Sequence, residues 1–423
     1  MKRHPLISSL LNFKGNARGC VYPEPMNAIP VNLYTPYASL FMVALGVSDS
    51  QIGLIVSISW SVQLVLALLS GVITDKFGRR RTTLVSDLIC WTVPALISAI
   101  AQNFWFFLCA AIFTSFFRVP QNSWTCLMVE DSDPDQLVDI FSWIYIAGLL
   151  SAFFAPLAGL MMKSFSLIPT MRILYVFAAV CFTVKAFITY KMTSETKQGL
   201  IRMQATRWTS IFTSLAEYKG VLVEVLHTPR TLFIAGIMCI MNICMLINGT
   251  FWSIIVTEKI KAPLESIAYF SFTKSAVMLL FFFLVIPQLR AVHFRLPLTL
   301  GFASFIISQL ILIRTPVGNY MLLLLTVVLE AGSIAIISPL VDQLTVLMID
   351  PNERARIQSI LYVGIILVTS PFGWIAGILS AANKDFPFVL NIILFILGGL
   401  LVLLAGRVST SAAKDYPITE PEI

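Results

Sequence analysis

The chain has 423 residues, of which 57% are hydrophobic and only 12% are charged. Soluble domains carry roughly 25% charged residues, so this composition excludes an ordinary soluble protein and indicates a chain that lies in a lipid bilayer. The formal net charge is +7, but the basic residues are scattered between apolar runs instead of gathered on one face. This distribution argues against a nucleic-acid partner.

Apolar stretches long enough to cross a bilayer recur along the whole chain. A helix needs about 20 residues to cross the roughly 30 Å hydrocarbon core, and the sequence predicts twelve such spans. The first is irregular because it carries Glu24 and several prolines. The predicted spans cover residues 22–45, 51–74, 82–101, 104–128, 138–162, 170–190, 231–256, 266–288, 296–313, 319–345, 357–380 and 387–406.

One long polar loop divides the spans into six and six. The predicted organisation is an N-terminal cytoplasmic segment (1–21), a six-helix bundle (22–190), a cytoplasmic central loop (191–230), a second six-helix bundle (231–406) and a cytoplasmic tail (407–423). Apolar residues in the loop allow an amphipathic helix along the membrane surface, and a plain linker is the alternative. These apolar residues are Ile211, Leu215, Leu222 and Leu226.

The basic residues predict the orientation of the chain in the membrane. Most of the 29 Lys and Arg residues lie near the two chain ends and in the loops after spans two, six, eight and ten. The positive-inside rule places such segments in the cytoplasm. The sequence therefore predicts a multi-pass protein of the plasma (inner) membrane with both termini cytoplasmic.

The two predicted bundles contain related elements. Pro156 and Gly159 in span five have counterparts in span eleven, where Pro371 precedes Gly373 and Gly377. The basic loop after span two corresponds to the segment RAVHFR after span eight. Related halves are typical of secondary transporters, whose substrate site lies between the halves near mid-membrane depth.

The second predicted span ends in a charged segment, GVITDKFGRRR. It resembles the signature of the loop between spans two and three in the major facilitator superfamily, with matches at Gly71, Asp75, Lys76, Gly78, Arg79 and Arg80. Span four contains Arg118 and Gln121, similar to the family's Arg-x-x-Gln element, although Asn122 stands where glycine is expected. Span five is similar to the glycine-proline signature of the family's antiporters, with Ser151 and Ala155 at usual glycine positions.

The resemblance implies an all-α membrane protein with twelve transmembrane helices in two pseudo-symmetric six-helix bundles, the fold of the major facilitator superfamily. It also implies a latch at the cytoplasmic end. Asp75 would accept hydrogen bonds from the N-terminus of span eleven, whose dipole favours an anion, and Arg79 and Glu130 would complete the latch. Gly71 permits close helix approach and Gly78 permits a turn with positive φ. Topogenesis accounts equally well for the basic residues but not for Asp75.

Charged side chains inside the spans are candidates for function. A charge at bilayer depth costs about 3 kcal/mol on insertion scales unless it is paired or hydrated. Arg118, Glu330 and Lys274 lie deep in spans four, ten and eight, and spans four and ten line the cavity in the resembled family. With Glu24 and Gln121 they form the candidate set for substrate binding or proton coupling. Glu330 and Glu24 are the candidate proton carriers.

Three other charges within the spans have simpler explanations. Lys185 lies near the cytoplasmic end of span six, and its side chain is expected to snorkel to the interface. Asp87 and Asp342 also lie near the cytoplasmic end of their spans. Gate pairing or helix packing is expected for these two carboxylates, in preference to contact with a substrate.

The predicted function is secondary active transport of a small organic solute by alternating access, coupled to protons and directed outward. Proton-coupled uptake of a sugar, an amino acid or an organic anion is the alternative. A sensor derived from a transporter and an intramembrane enzyme are weaker alternatives. The expected partners are the small-molecule substrate, protons and membrane lipids, with no nucleic acid, and the monomer is expected to be the functional unit.

The sequence predicts neither a cofactor nor enzymatic activity. The motifs of zinc hydrolases, serine hydrolases and dinucleotide-binding proteins are absent, as is the Gly-Lys-Ser/Thr loop of ATP-driven proteins. The histidines lie in tails or loops, so they predict no metal site within the bilayer; they are His4, His227 and His293.

Overall fold

The structure is a computed structural model that describes residue 10 and residues 12–133, 136–206, 229–285, 295–348 and 354–412. Helices make up most of these ranges, and no β-strand occurs in them. Ten helices of the described chain are long and apolar enough to cross a membrane. The prediction of an all-α membrane protein is confirmed.

In the part of the chain that the structure describes, each predicted span falls on helix, and the observed bounds replace the predicted ones from here on. Span one is a broken rod made of Gly15–Val21, Pro25–Tyr34, Thr35–Tyr37 and Ala38–Ala44. Spans two to six are Asp49–Phe77, Arg79–Ala99, Phe104–Val129, Leu137–Ser151 with Ala155–Phe165, and Leu167–Met192. Spans seven to twelve are Pro229–Ile254 with Ile255–Lys259, Leu264–Leu284, Arg295–Arg314, Tyr320–Met348, Arg354–Ala382 and Phe386–Ala412.

Local sequence explains where several helices begin and bend. Pro25 occupies the first turn of its helix, where a missing N–H costs nothing, and the 3-10 turn that interrupts span one contains Pro36. Span two begins with a capping box, in which Ser48 and Gln51 each bond the backbone of the other. The turn between spans two and three is a single glycine, Gly78, with φ of 84°.

The outer surface of the helices is apolar, as a lipid-facing surface must be. Large exposed side chains there include Leu160, Val176, Leu325 and Leu397. Within the fold, a large hydrophobic core joins the two halves, since it contains Phe41 and Tyr175 from one half and Phe251 and Phe388 from the other. The halves also meet where span two packs along span eleven and where span five packs on span eight.

The central loop contains one described helix, Lys197–Ala205, called the loop helix below. The amphipathic helix predicted around residues 211–226 lies outside the described residues. The division into bundles at residues 22–190 and 231–406 stays a prediction. The last helix continues to Ala412, past the predicted end of span twelve at 406.

Candidate functional site

The structure brings together the three charged residues of the predicted latch. Asp75 and Arg79 lie on either side of the Gly78 turn, and their side chains form an ion pair with 2.9 Å between Oδ1 and Nη1. The Arg79 guanidinium also pairs with Glu130 at the end of span four, with 3.1 Å between Nη2 and Oε1. Arg79 is buried although it is charged. Because a buried charge needs such partners, the three residues act as one unit.

Glu195 completes this group, although no sequence motif identified it. Its two carboxylate oxygens accept the backbone N–H groups of Arg79 and Arg80 at 2.8 and 3.0 Å. A carboxylate at these free N–H groups caps span three and complements the positive end of its dipole. The next residue, Thr196, caps the loop helix and donates its hydroxyl hydrogen to Glu130 at 2.5 Å. We call Asp75, Arg79, Glu130, Glu195 and Thr196 the motif cluster.

Gly78 has a positive φ, which favours glycine, and side chains of the motif cluster and the loop helix lie close to it. A Cβ atom at this position would lie 2.7 Å from both Glu195 Oε2 and Met203 Sδ. The loop helix, which carries Met203, therefore packs directly against the turn between spans two and three. Gly71 meets no such constraint, since the nearest atom to its Cβ position is Asn122 Nδ2 at 4.0 Å.

The remaining basic residues of the segment differ in their surroundings. Arg80 donates from Nε and Nη2 to the carbonyl oxygen of Tyr190 at 2.9 and 2.8 Å, and its guanidinium lies 3.9 Å from the centroid of the Tyr190 ring. Lys76 is partly exposed. The side chains of residues 354–360 lie outside the described set, so the predicted contact between Asp75 and the start of span eleven stays a prediction.

We expect Glu195→Gln to destabilise the protein by about 1 kcal/mol, because the neutral amide is a weaker partner for the N-terminus of span three. Thermal unfolding of the purified protein in detergent measures this change. Asp133→Asn is a suitable control, since Asp133 is exposed and its substitution should stay within about 0.5 kcal/mol. Equal melting temperatures for the Glu195 variant and the wild type would contradict the capping role.

The opposite end of the bundle carries a network of charges that includes an ion pair between the two halves. Lys384, in the turn after span eleven, lies 2.7 Å from Asp49 Oδ2 at the start of span two and 2.8 Å from Glu258 Oε2. Ser380 also donates a hydrogen bond to Asp49. Beside them, Lys259 pairs with Asp385 at 2.5 Å. These residues define what we call the Asp49 end, and none of them was identified from the sequence.

Close backbone contact extends this seal along spans two and eleven. A Cβ atom on Gly53 would collide with the carbonyl oxygen of Gly373, and one on Gly377 would lie 2.7 Å from the carbonyl oxygen of Asp49. Further along, Ser57 donates to the carbonyl oxygen of Ser370 at 2.6 Å. Among the described residues, no ion pair joins the halves at the motif cluster. These contacts therefore close the bundle at the Asp49 end.

We expect the Asp49 end to lose stability in alkaline solution. Burial lowers the pKa of the Lys384 ammonium, but hydrogen bonds to Asp49 and Glu258 outweigh it and raise the pKa above its ordinary value. Such a group stabilises the folded state fully below its unfolded pKa of about 10.4, and the stabilisation is lost as the pH rises through the folded pKa. Thermal unfolding should show this alkaline loss in the wild type and a smaller loss in Asp49→Asn; equal losses would contradict the network.

A cavity of about 290 Å³ lies between the halves, lined by spans one, seven, eight and ten. Two predicted site residues meet in it, since Lys274 Nζ lies 2.5 Å from Glu330 Oε1. The Glu330 side chain is only 4% exposed, whereas that of Lys274 is 36% exposed. The other lining groups include two aromatic rings and several small polar side chains: Trp252, Phe270, Asn32, Asn248, Ser253, Ser271 and Ser275. We call this space the central cavity.

A second cavity of about 530 Å³ adjoins the central cavity, because Thr35 and Gly249 line both. Its walls come mainly from the N-terminal half and include Tyr34, Trp60 and Trp91. The paired cavities extend the space between the halves beyond the Lys274–Glu330 ion pair.

Arg118 does not line the central cavity, but it does face the other half. It donates a hydrogen bond from Nη1 to Gln121 Oε1 at 2.9 Å. Its guanidinium carbon lies 5.5 Å from the ring centroid of Tyr362 in span eleven, within cation–π distance. No described carboxylate pairs with Arg118. The structure therefore separates this predicted site residue from Lys274 and Glu330.

The expectation that Lys185 snorkels to the interface is wrong. Its side chain is 7% exposed and its ammonium lies 3.0 Å from Asp87 Oδ2. The Trp124 ring centroid lies 5.7 Å from the ammonium, and Glu24 interacts with it electrostatically. Lys185 lies near the helix end but does not reach the interface, because this face of span six packs inside the bundle, where the Asp87 carboxylate binds the ammonium. Glu24, which is partly exposed, does not line the central cavity.

Comparisons with known proteins place this fold. Residues 26–318 match the model of the Major Facilitator Superfamily. Solved structures with the same fold include a mutant of the nucleoside transporter NupG (14% identity, TM-score 0.69, covering 93% of this chain and 99% of that chain). A mutant of the peptide transporter POT is 14% identical with a TM-score of 0.70, covering 96% of this chain and 99% of that one. The human organic anion transporter MFSD10 (TETRAN) is 13% identical with a TM-score of 0.63, covering 95% and 100%.

No curated protein matches the sequence significantly. At such low identity the solved structures establish the fold alone, but the family model covers well over half of the chain. The helical architecture, the polar cavity between the halves and the family match agree with one another. The chain therefore belongs to the Major Facilitator Superfamily and is a membrane transporter rather than an enzyme.

Proposed function

We propose that the protein exports a small organic solute across the plasma membrane by alternating access, in exchange for protons. One observation carries the proposal: the ion pair of Lys274 and Glu330 lies in a cavity between halves that are sealed to each other at the Asp49 end. Alternating access needs a site between two halves that can be closed at either end. The motif cluster is proposed as the gate element for the opposite closure.

The distribution of basic residues indicates, in this proposal, which end of the bundle lies on the cytoplasmic side of the membrane and which lies outside. The positive-inside rule puts the motif cluster and both termini in the cytoplasm and the Asp49 end outside. With this orientation, the sealed Asp49 end corresponds to the inward-facing stage of the cycle. Opening to the outside then requires breaking the bonds of Lys384 to Asp49 and Ser380 to Asp49.

Proton coupling is proposed to act through Glu330. A proton on this carboxylate would remove its charge and weaken the bond to Lys274. Glu24 is the second candidate, since it lies near the buried pair of Lys185 and Asp87. Arg118, which faces Tyr362 of span eleven, and its hydrogen-bond partner Gln121 are proposed to contact the solute on its way to the central cavity.

Outward transport is favoured by the antiporter-like element of span five. Gly159 in this element packs closely on span eight, since a Cβ atom there would lie 2.7 Å from the carbonyl oxygen of Glu265. A close span contact at this end suits a gate that closes tightly while protons and solute exchange. Uptake together with protons is the second candidate, and solved structures of this fold include nucleoside and peptide transporters.

Flux measurements in membrane vesicles test the proposal. Ligands are first found by thermal-shift screening of metabolite and drug libraries, and each ligand is then offered to inside-out vesicles. Export in exchange for protons predicts accumulation of the solute when the vesicle lumen is acidic. Uptake with protons predicts the reverse, loss of preloaded solute under the same gradient. Binding without any flux would instead indicate a sensor, and it would overturn the proposal.

A further inference from the structure

The ion pair in the central cavity limits the charge of any ligand that displaces it. Glu330 is 4% exposed, so its carboxylate relies on Lys274 for compensation. A ligand with a single negative charge would attract Lys274 and leave Glu330 unpaired, and a ligand with a single positive charge would leave Lys274 unpaired. Leaving Glu330, which is 4% exposed, without a partner is strongly unfavourable, whereas leaving Lys274, which is 36% exposed, costs less because water reaches it. A ligand that carries both charges avoids this cost.

The polar groups next to the pair fit such a ligand. Asn248, which lines the cavity, is buried, and its Oδ1 accepts a hydrogen bond from Asn391 at 2.9 Å. Its Nδ2 has no partner and remains a donor, which suits a carboxylate held by Lys274. Nδ2 itself is buried, so the Asn248 amide would have to turn towards the cavity to meet a ligand acceptor; buried polar groups in native structures are nearly always bonded, and this one lacks its acceptor.

The remaining walls of the central cavity suit a small ligand that has an apolar part. Trp252 and Phe270 form an edge-to-face pair with ring centroids 6.0 Å apart, and both line the cavity. Ligand pockets are commonly about 300–1,000 Å³, so a cavity of about 290 Å³ suits a small metabolite. The two rings offer an apolar surface to its side chain.

We propose that the central cavity binds a small zwitterion, a molecule of amino-acid type. Its carboxylate pairs with Lys274 and Asn248, and its ammonium group pairs with Glu330. A zwitterion and a proton then compete for the same carboxylate, which is the requirement for exchanging one for the other. The inference rests on the proposed function, because the cavity is taken to be the transport site.

Binding of matched compounds to the purified full-length protein tests the inference. Three families are used, built on phenylalanine, leucine and the dipeptide alanyl-phenylalanine. Each family contains the zwitterion, the same compound without its amino group and the same compound without its carboxylate. Isothermal titration should give at least one zwitterion a dissociation constant at least tenfold below those of both analogues. Equal or tighter binding of an analogue in every family, or no binding of any zwitterion, would overturn the inference.

Variants connect this preference to the ion pair. The double variant Lys274→Met/Glu330→Gln leaves neither charge alone, so it should fold, and its preference for the zwitterion should fall to within twofold. Asp133→Asn changes an exposed residue outside the cavity and should keep the tenfold preference. An unchanged preference in the double variant would also overturn the inference.

A flux assay separates this inference from the proposed function. Proteoliposomes are preloaded with each of the nine compounds and with a neutral nucleoside, and exchange is followed. Transport of an anion or a nucleoside without zwitterion preference would overturn the inference but leave the transporter proposal intact. Exchange of the zwitterions alone supports both.

Discussion

Replacing Gly377 by leucine is expected to lower the transport rate at least fivefold at equal abundance in the membrane. A Cβ atom at Gly377 would lie 2.7 Å from the carbonyl oxygen of Asp49 and 3.0 Å from the Gly53 Cα. These neighbours are backbone atoms, which cannot rotate away as a side chain can. The Asp49 end should therefore fail to close, and a transporter that closes at one end only cannot complete its cycle.

The expected decrease in transport rate follows from the free-energy cost of overpacking. Inserting side-chain atoms into a filled space costs about 1–3 kcal/mol, and a shift of this size changes the ratio of two states by roughly 5–150-fold. This cost destabilises the state that is closed at the Asp49 end but not the state that is open there. The population therefore shifts towards the open state. Folding need not be lost, because the contact lies between the halves.

Accessibility of the seal distinguishes this mechanism from simple misfolding. The reporter is Ser61→Cys, since Ser61 contacts Ser370 in the wild type. An impermeant maleimide added from the Asp49 side should react with this cysteine faster in the Gly377→Leu protein than in the protein that keeps Gly377. Gly399→Leu is the matched control, since nothing lies within 4 Å of a Cβ atom at Gly399; it should keep transport within about twofold. Wild-type flux in Gly377→Leu would contradict the sealing role.

The membrane architecture was predictable because length and apolarity alone identify a spanning helix. Each predicted span falls on an observed helix, including the irregular first one, in which Pro36 lies in the interrupting turn. The ion pair of Asp75 and Arg79 was also predictable from the sequence, since the two residues are four positions apart across one turn. Local patterns such as these leave a signal in the sequence itself.

Partners that are distant in the chain could not be predicted in the same way. Lys274 and Glu330 were each identified as deep charges, but their pairing across 56 residues depends on how spans eight and ten rotate in the bundle. The pair of Asp49 and Lys384 is separated by 335 residues. Asp49 and Lys384 both lie near the ends of spans, where charged residues are common and therefore do not indicate a site.

Burial also depends on the neighbouring helices, which the sequence does not reveal. Lys185 was expected to reach the interface because it lies near a helix end, yet Asp87 binds it inside the bundle. Glu195 was missed because loop carboxylates are common. The available signal was the order Glu195–Thr196 before a helix, with the helix cap at Thr196. That signal identifies the start of the loop helix. It does not reveal that Glu195 also caps the N-terminus of span three.

Lys274→Met is expected to destabilise the protein more than Glu330→Gln, although both break the same ion pair. The first substitution leaves Glu330, which is 4% exposed, without its partner, whereas the second leaves Lys274, which is 36% exposed to the cavity. Breaking a fully buried pair costs about 3–5 kcal/mol, and water in the cavity lowers the cost for Lys274. Thermal unfolding of both variants in detergent measures the difference.

The double variant Lys274→Met/Glu330→Gln provides the thermodynamic test of the pair. Because neither charge is left alone, its loss of stability should be smaller than the sum of the two single losses, by about 1 kcal/mol or more. Asp385→Asn is the control, since Lys259 and Asp385 are 30% and 22% exposed, and such exposed pairs contribute only about 0–1 kcal/mol. Additive losses in the double variant would mean that Lys274 and Glu330 do not depend on each other.

The same three variants separate stability from transport. Glu330→Gln carries no proton in exchange for the solute, so it should lower accumulation against a gradient at least tenfold. Exchange at equal concentrations should continue at a reduced but measurable rate, because the amide oxygen still accepts a hydrogen bond from the solute. Lys274→Met should lose both activities, because the solute loses its partner and Glu330 keeps an uncompensated charge. Accumulation at the wild-type level in Glu330→Gln would remove Glu330 as the proton carrier and leave Glu24, beside Lys185, as the remaining candidate.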